Sequence, residues 1–174
     1  ATSGNTGISL AFVSAAKGYK LFLTMPESMS LERRKMLKHL GAKIFLTPGS
    51  KGMKGAIEKA NEIKNNTNNS IILNQFSNKE NPKIHYNTTA KEIWNDCNGE
   101  VDCFVSGVGT GGTITGVGKY LKEKNKNVKI YLSDPTGSAL YNHIMNGELK
   151  AEGGSITEGI GSSRITKNFA EAKI

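Results

Sequence analysis

Thr2, Ser3, Gly4, Asn5, Thr6 and Gly7 set short polar side chains and glycines directly ahead of an apolar helical pattern running from Ile8 to Lys17. A helix N-terminus leaves four backbone N–H groups without intrahelical partners, and its dipole favours an anion. One Ser, Thr or Asn is enough to cap such an end. The surplus here points to a bound carboxylate or phosphate. A second stretch, Ser106-Gly107-Val108-Gly109-Thr110-Gly111-Gly112-Thr113, follows a short apolar run and opens another helical pattern. Glycines there let the backbone approach an anion, and Thr110 and Thr113 add hydroxyl donors, so the turn suits a phosphate. Two further polar positions stand at the ends of apolar runs or in glycine loops: Gln75, and Gly159 within Glu158-Gly159-Ile160-Gly161.

The elements that must position these residues alternate strictly. Helical spacing of Ile8, Ala11, Phe12 and Ala15 predicts a first helix closed by Gly18, and Lys20 to Met25 reads as a buried strand ended by Pro26. Ser30 caps a second helix with Met36, Leu37 and Leu40 on its inner face, and Lys43 to Thr47 is the next strand. Met53, Ala56, Ile57, Ala60 and Ile63 mark a third helix, and Ile71 to Leu73 a third short strand. Asn81-Pro82 reads as a cap and first helical residue for a helix carrying Tyr86, Ala90, Ile93, Trp94 and Cys97. Cys103 to Ser106 and Val128 to Leu132 are strands flanking a helix with Ile114, Val117 and Leu121, and Leu140 to Met145 is a last short helix. The alternation predicts an α/β fold with doubly wound, mostly parallel sheets and helices on both faces. Every polar motif then falls on a strand-to-helix junction, where ligands bind in such sheets.

Composition narrows the function classes. The chain has 174 residues, is 37% hydrophobic, and carries a formal net charge of +8. Basic runs such as Arg33-Arg34-Lys35 and Lys122-Glu123-Lys124-Asn125-Lys126 lack interleaved aromatics and read as solvated helix faces, so no nucleic-acid partner is expected. No apolar run is long enough to span a bilayer, and no charged-then-apolar leader opens the chain, so neither membrane nor secretion is expected. Cys97 and Cys103 show neither CxxC spacing nor a histidine cluster, which predicts free thiols, a reducing cytoplasmic setting and no metal site. Asn65 to Ser70 is an Asn-rich surface loop.

The two motifs, together with Leu23 to Arg34, Lys51-Gly52-Met53-Lys54-Gly55-Ala56, Asn74-Gln75-Phe76-Ser77-Asn78, Asp134-Pro135-Thr136-Gly137-Ser138 and Glu158 to Gly161, resemble the cysteine synthase (O-acetylserine sulfhydrylase) family. These are pyridoxal-phosphate enzymes of fold type II, the tryptophan synthase β-like class. The resemblance covers essentially the whole chain. It implies two lobes, incomplete at both ends: residues 1–76 as part of a smaller mobile lobe with the substrate-carboxylate loop, and 77–174 as part of a larger lobe with the phosphate cradle. The cofactor would be pyridoxal 5'-phosphate, with Asn5 on its ring oxygen and Gly109, Thr110, Gly111, Gly112 and Thr113 on its phosphate. Thr2, Ser3, Gly4, Thr6 and Gln75 would bind the substrate carboxylate, and Gly159 would lie near the substrate amino group. The catalytic Schiff-base lysine would stand before Ala1, and no lysine of this chain is nominated for it. The implied reaction is β-replacement on O-acetylserine by sulfide, through an aminoacrylate, giving cysteine and acetate. A homodimer and a serine acetyltransferase partner are also implied.

Three alternatives stay open on the residues. Cystathionine β-synthase chemistry, from serine and homocysteine, shares the glycine loop. Gly107, Gly109 and Gly112 satisfy GxGxxG, with Asp134 at the end of the next strand, which fits an NAD-binding domain of an oxidoreductase. A non-catalytic amino-acid-binding module would need no lysine. A Walker A motif is excluded, because Gly118-Lys119 runs into Tyr120.

Overall fold

The computed structural model describes every residue except Ser3, Ser155, Ile156 and Glu158. The chain divides into two compact units, Ala1–Asn74 and Gln75–Ile174. Each carries its own parallel pair of strands and its own apolar cluster.

In the first unit α1 (Asn5–Lys17) is stopped by Gly18, whose φ of 71° is a left-handed conformation that costs glycine nothing. β1 (Phe22–Pro26) and β2 (Lys43–Thr47) pair in parallel, Phe22 opposite Lys43 and Pro26 opposite Thr47. The crossover between them is α2 (Leu31–His39), capped as expected by Ser30, whose hydroxyl accepts the Arg33 N–H at 3.3 Å. A short 3-10 turn, Gly49–Lys51, leads into α3 (Gly52–Asn65). Ala11, Leu23, Met25, Leu37 and Ala42 form the core. Buried Thr24 donates its hydroxyl to the Ala56 carbonyl at 2.7 Å, fastening α3 to the sheet. The predicted inner faces of α1 and α2 are too wide: Phe12 is 67% exposed and Met36 is exposed as well. Each sits one residue, about 100° of helix, away from the position that packs inward, Ala11 and Leu37 respectively.

The second unit begins with α4 (Glu80–Asn87) and α5 (Thr89–Asp96), followed by β3 (Cys103–Gly107), α6 (Gly112–Lys124), β4 (Lys129–Ser133) and α7 (Leu140–Asn146). β3 and β4 are parallel, Cys103 opposite Lys129 and Gly107 opposite Ser133. α6 is the centre of the core: Ile114, Val117 and Leu121 are fully buried with Val108, Val128, Ile130, Leu140 and Phe169. Burying each such side chain contributes roughly 1.5–3 kcal/mol. On another line of α6, Gly112 and Gly116 are four residues apart and share a face. A Cβ at Gly116 would meet the Pro82 carbonyl and, at 2.9 Å, the His85 Cβ, so the glycine lets the α4 backbone press directly on α6. That contact places the polar side chains of α4 beside the head of α6.

Three element predictions are corrected. Ile71–Leu73 forms no strand; Ile71 is 81% and Leu73 47% exposed, so the run lacks the burial that a strand of this composition needs. The helix predicted from Pro82 to Cys97 breaks at Thr88, whose hydroxyl turns back onto the Ile84 carbonyl at 2.8 Å, competing with the helical ladder. Asn81 is not the cap of α4, which starts at Glu80 with the Asn78 side chain accepting the Glu80 N–H at 3.0 Å.

Candidate cofactor and substrate site

The opening loop is held together by Thr2. This residue is only 2% exposed; its N–H donates to the Thr24 carbonyl at 3.1 Å, which ties the loop to β1. Its hydroxyl oxygen accepts the N–H groups of Gly4 at 3.3 Å and Gly7 at 3.1 Å. A Cβ at Gly7 would stand 2.6 Å from the Thr2 methyl, so the glycine is what allows Thr2 this close. In this conformation the Thr2 hydroxyl faces inward and shapes the loop. Asn5, the first residue of α1, is exposed, and Gly4 and Thr6 are half-buried. Ser3 lies outside the described residues.

The glycine turn is built differently. Gly111 takes φ 85° at the N-cap of α6 and supplies no side-chain cap. Thr110 does so instead, its Oγ1 accepting the Gly112 N–H at 3.3 Å. Neighbours close in on every glycine of the turn. An added Cβ would strike the Gly159 carbonyl from Gly109, the Phe169 backbone N at 2.6 Å from Gly111, and the Asn81 amide from Gly112. The Gly159 loop is docked on the turn, the Gly161 N–H donating to the Val108 carbonyl at 2.7 Å. Gly159 itself has φ 83° and open space around its Cα, while Glu158 lies outside the described residues. Gly109 and Gly159 thus lie against one another, beside Thr110 of the same turn.

His85 is a neighbour that sequence reasoning missed. Its Nδ1 is 3.0 Å from Thr89 Oγ1 and its Nε2 3.3 Å from Thr113 Oγ1, so the ring bridges α5 and the head of α6. Burial holds the imidazole below its ordinary pKa. A neutral ring beside a phosphate-sized turn is an orienting group for Thr113 rather than a counter-charge. The signal available in the sequence was the spacing His85–Thr89, one helical turn, but no local pattern brings Thr113 to the other ring nitrogen.

Gln75 belongs to the second unit, and its backbone is gripped there. Asn81 Nδ2 and Asn168 Nδ2 both donate to its carbonyl at 2.9 Å. The loop of Thr2 to Gly7 belongs to the first unit.

The residues at the turn fit a phosphate. A helix N-terminus with a glycine at its cap, two threonine hydroxyls and a neutral histidine form a donor set with no carboxylate in the segment from Ser106 to Ile114. Asp134, the acid required by the dinucleotide reading, has one oxygen engaged at the head of α7, where Oδ2 accepts the Tyr141 N–H at 2.9 Å, while its buried Oδ1 has no hydrogen-bond partner among the described residues. Cys97 and Cys103 are free and exposed. Lys17 and Lys54 are exposed helix residues. Among the described residues no helix is long and apolar enough to cross a membrane.

An α/β chain with a donor-lined glycine turn at a strand-to-helix junction defines a class: the family described as pyridoxal-phosphate dependent enzyme matches residues 1–172, and the chain belongs to it. Its fold is the tryptophan synthase β-like type II fold of pyridoxal-phosphate enzymes. Within that family it is similar to cysteine synthase A of Escherichia coli (strain K12), 54% identical over 171 residues, which are 97% of this chain and 53% of that protein. Among solved structures, cysteine synthase from Entamoeba histolytica is 46% identical with a TM-score of 0.84, over 95% of this chain and 47% of that one. An O-acetylserine dependent cystathionine beta-synthase from Helicobacter pylori is 36% identical with a TM-score of 0.87, over 99% of this chain and 54% of that one. The chain spans about half the length of the relatives it matches. The family match leaves the dinucleotide reading of Gly107, Gly109 and Gly112 without support.

Proposed function

We propose that the protein carrying this chain is a cysteine synthase, which replaces the acetoxy group of O-acetylserine by sulfide and releases cysteine and acetate. The observation that carries the reading is the turn Gly109–Thr113, whose donors and shape suit the phosphate of the family's cofactor. When bound, pyridoxal phosphate supplies an electron sink for negative charge developing at the substrate Cα. The residues of this chain do the positioning. Backbone N–H groups at the head of α6 and the hydroxyls of Thr110 and Thr113 hold the phosphate. Asn5 would meet the cofactor's ring oxygen. Gly4, Thr6, Ser3 and the loop N–H groups take the substrate carboxylate, with Thr2 keeping the loop in shape. Gln75 adds a side-chain contact to the carboxylate, and Gly159, lacking a side chain, leaves room for the substrate amino group. The lysine that links the cofactor lies outside this chain.

The higher identity to a cysteine synthase, 54% against 36% for the O-acetylserine dependent cystathionine beta-synthase, favours sulfide over homocysteine as the incoming nucleophile. The reading extends to a homodimer, to serine acetyltransferase as a partner, and to a reducing cytoplasmic setting, the last supported by two free, exposed thiols. The test is a visible absorption scan of the product of the complete reading frame. A cofactor band that shifts on adding O-acetylserine, with sulfide-dependent cysteine formation, is expected. No band after incubation with pyridoxal phosphate would remove the enzyme reading in favour of an amino-acid-binding module. A shift with serine, followed by turnover only with homocysteine, would transfer it to cystathionine β-synthase chemistry.

A further inference from the structure

Asn81 lies in the first turn of α4, and its amide nitrogen reaches two acceptors at once: the Gln75 carbonyl at 2.9 Å and Thr110 Oγ1 at 3.0 Å. A primary amide nitrogen offers two hydrogens and accepts nothing, and a backbone carbonyl only accepts, so the nitrogen is the atom facing both partners. Thr110 Oγ1 already receives the Gly112 N–H at 3.3 Å. With two donors on its oxygen, both lone pairs of the Thr110 hydroxyl are taken, and what remains is its O–H. That hydroxyl is committed to donate. The Thr110 carbonyl is fixed as well, by the Thr166 hydroxyl at 2.7 Å. Gly112 is packed so tightly on the Asn81 amide that any Cβ there collides with it, which keeps the amide from swinging away.

The other end of the bridge is equally constrained. Asn168, 2% exposed, shares the Gln75 carbonyl with Asn81 and donates its own N–H to the Phe76 carbonyl at 3.3 Å. The residue before Gln75, Asn74, has φ 41°, a left-handed conformation uncommon outside glycine. A turn held in this way hands its orientation to the Gln75 side chain.

We propose that Asn81 is a positioning residue for the cofactor phosphate: by donating to Thr110 Oγ1 it makes that hydroxyl an obligatory donor at the glycine turn, and by donating to the Gln75 carbonyl it locks the substrate-binding segment to the same turn. This rests on the reading of Gly109–Thr113 as a phosphate site. The test uses the full-length apoprotein and compares its affinity for pyridoxal phosphate with that for pyridoxal, which lacks the phosphate. The ratio isolates the phosphate contact from every other part of the site.

Asn81→Asp keeps the shape but replaces both donors by acceptors, so the Thr110 O–H turns onto the new carboxylate. The affinity ratio is expected to fall about tenfold or more, the worth of a lost hydrogen bond to a charged group, and about three- to tenfold in Asn81→Ala, where the Thr110 hydroxyl is freed but not turned away and the loss is that of an ordinary hydrogen bond. In a Thr110→Val background, Asn81→Ala should change the ratio no further. A residue that merely stabilised α4 would lower both affinities alike and leave the ratio untouched. A wild-type ratio near one would overturn the phosphate reading itself. A high wild-type ratio that survives both Asn81 substitutions would overturn the role of Asn81 alone. Should the aspartate variant fail to fold, the alanine variant and its Thr110→Val cycle decide the matter by the same ratio.

Discussion

Two loops in this chain end in a helix N-terminus and offer N–H groups there, but they are stabilised in opposite ways. The loop ahead of α1 is closed mainly from within: Thr2, three positions before the helix, accepts the N–H groups of Gly4 and Gly7, and a single outside bond, from the Thr2 N–H to the Thr24 carbonyl, ties it to β1. The turn ahead of α6 is closed from outside, by Asn81 and His85 of α4, by the Gly159 loop and by the backbone at Phe169. A self-capped loop depends on few bonds, so it can be reshaped at a cost of about 1–2 kcal/mol, the worth of one cap. A turn pinned from four sides cannot move without disturbing buried contacts. Such a division suits a substrate that comes and goes at the first loop and a cofactor that stays at the second.

The largest effect that would break this contrast is expected at Gly112. Gly112→Ala drives a methyl into the Asn81 amide and should destabilise the second unit by about 2–3 kcal/mol, with cofactor affinity lost alongside, as read by urea unfolding and cofactor titration. A neutral result would mean that the turn is not pinned by α4. Next comes Thr2→Ala in the first loop. Removing the shared acceptor should cost about 1–2 kcal/mol of stability while leaving cofactor affinity within twofold, so the two loops are separated by what each variant spares.

A smaller effect concerns pH. The His85 pKa is lowered by burial, so between its folded value and the ordinary value of about 6.5 the unfolded chain holds a proton that the folded chain does not. Stability is therefore full above about pH 6.5 and declines as pH falls through that window, and His85→Asn should flatten the decline in thermal scans taken across it. An unchanged slope in the variant would show that the ring carries no part of the pH dependence. Smallest of all are the exposed ion pairs Lys59–Glu62 and Lys83–Glu80, whose replacement by alanine should move stability by less than about 1 kcal/mol. They serve as the baseline against which the loop variants are judged.

Much of this was legible in the sequence because glycine and short polar residues leave a strong local trace. Gly18 as a helix stop, Ser30 as a cap and the turn from Gly107 to Thr113 were all readable from local chemistry, and the structure shows each. What stayed hidden depends on partners distant in the chain. Ile71–Leu73 has strand composition but lies exposed outside both sheets. Phe12 fits a helical stripe, yet only packing decides that Ala11 is the residue facing in. Asn81 before proline looks like a cap; its amide is drawn away by Gln75 and Thr110, six and twenty-nine positions distant. The inward turn of Thr2 likewise requires the Thr24 carbonyl of β1, which no local pattern announces.

Amide hydrogen exchange, followed peptide by peptide on the full-length apoprotein with pyridoxal phosphate or pyridoxal added, reads both loops in one experiment. The amides from Gly107 to Ile114 should become protected with pyridoxal phosphate and not with pyridoxal, while those from Gly4 to Gly7 respond equally to the two and slow further only when O-acetylserine follows. Protection of the glycine turn that ignores the phosphate, or phosphate-dependent protection confined to the opening loop, would contradict the assignment of the two loops to cofactor and substrate.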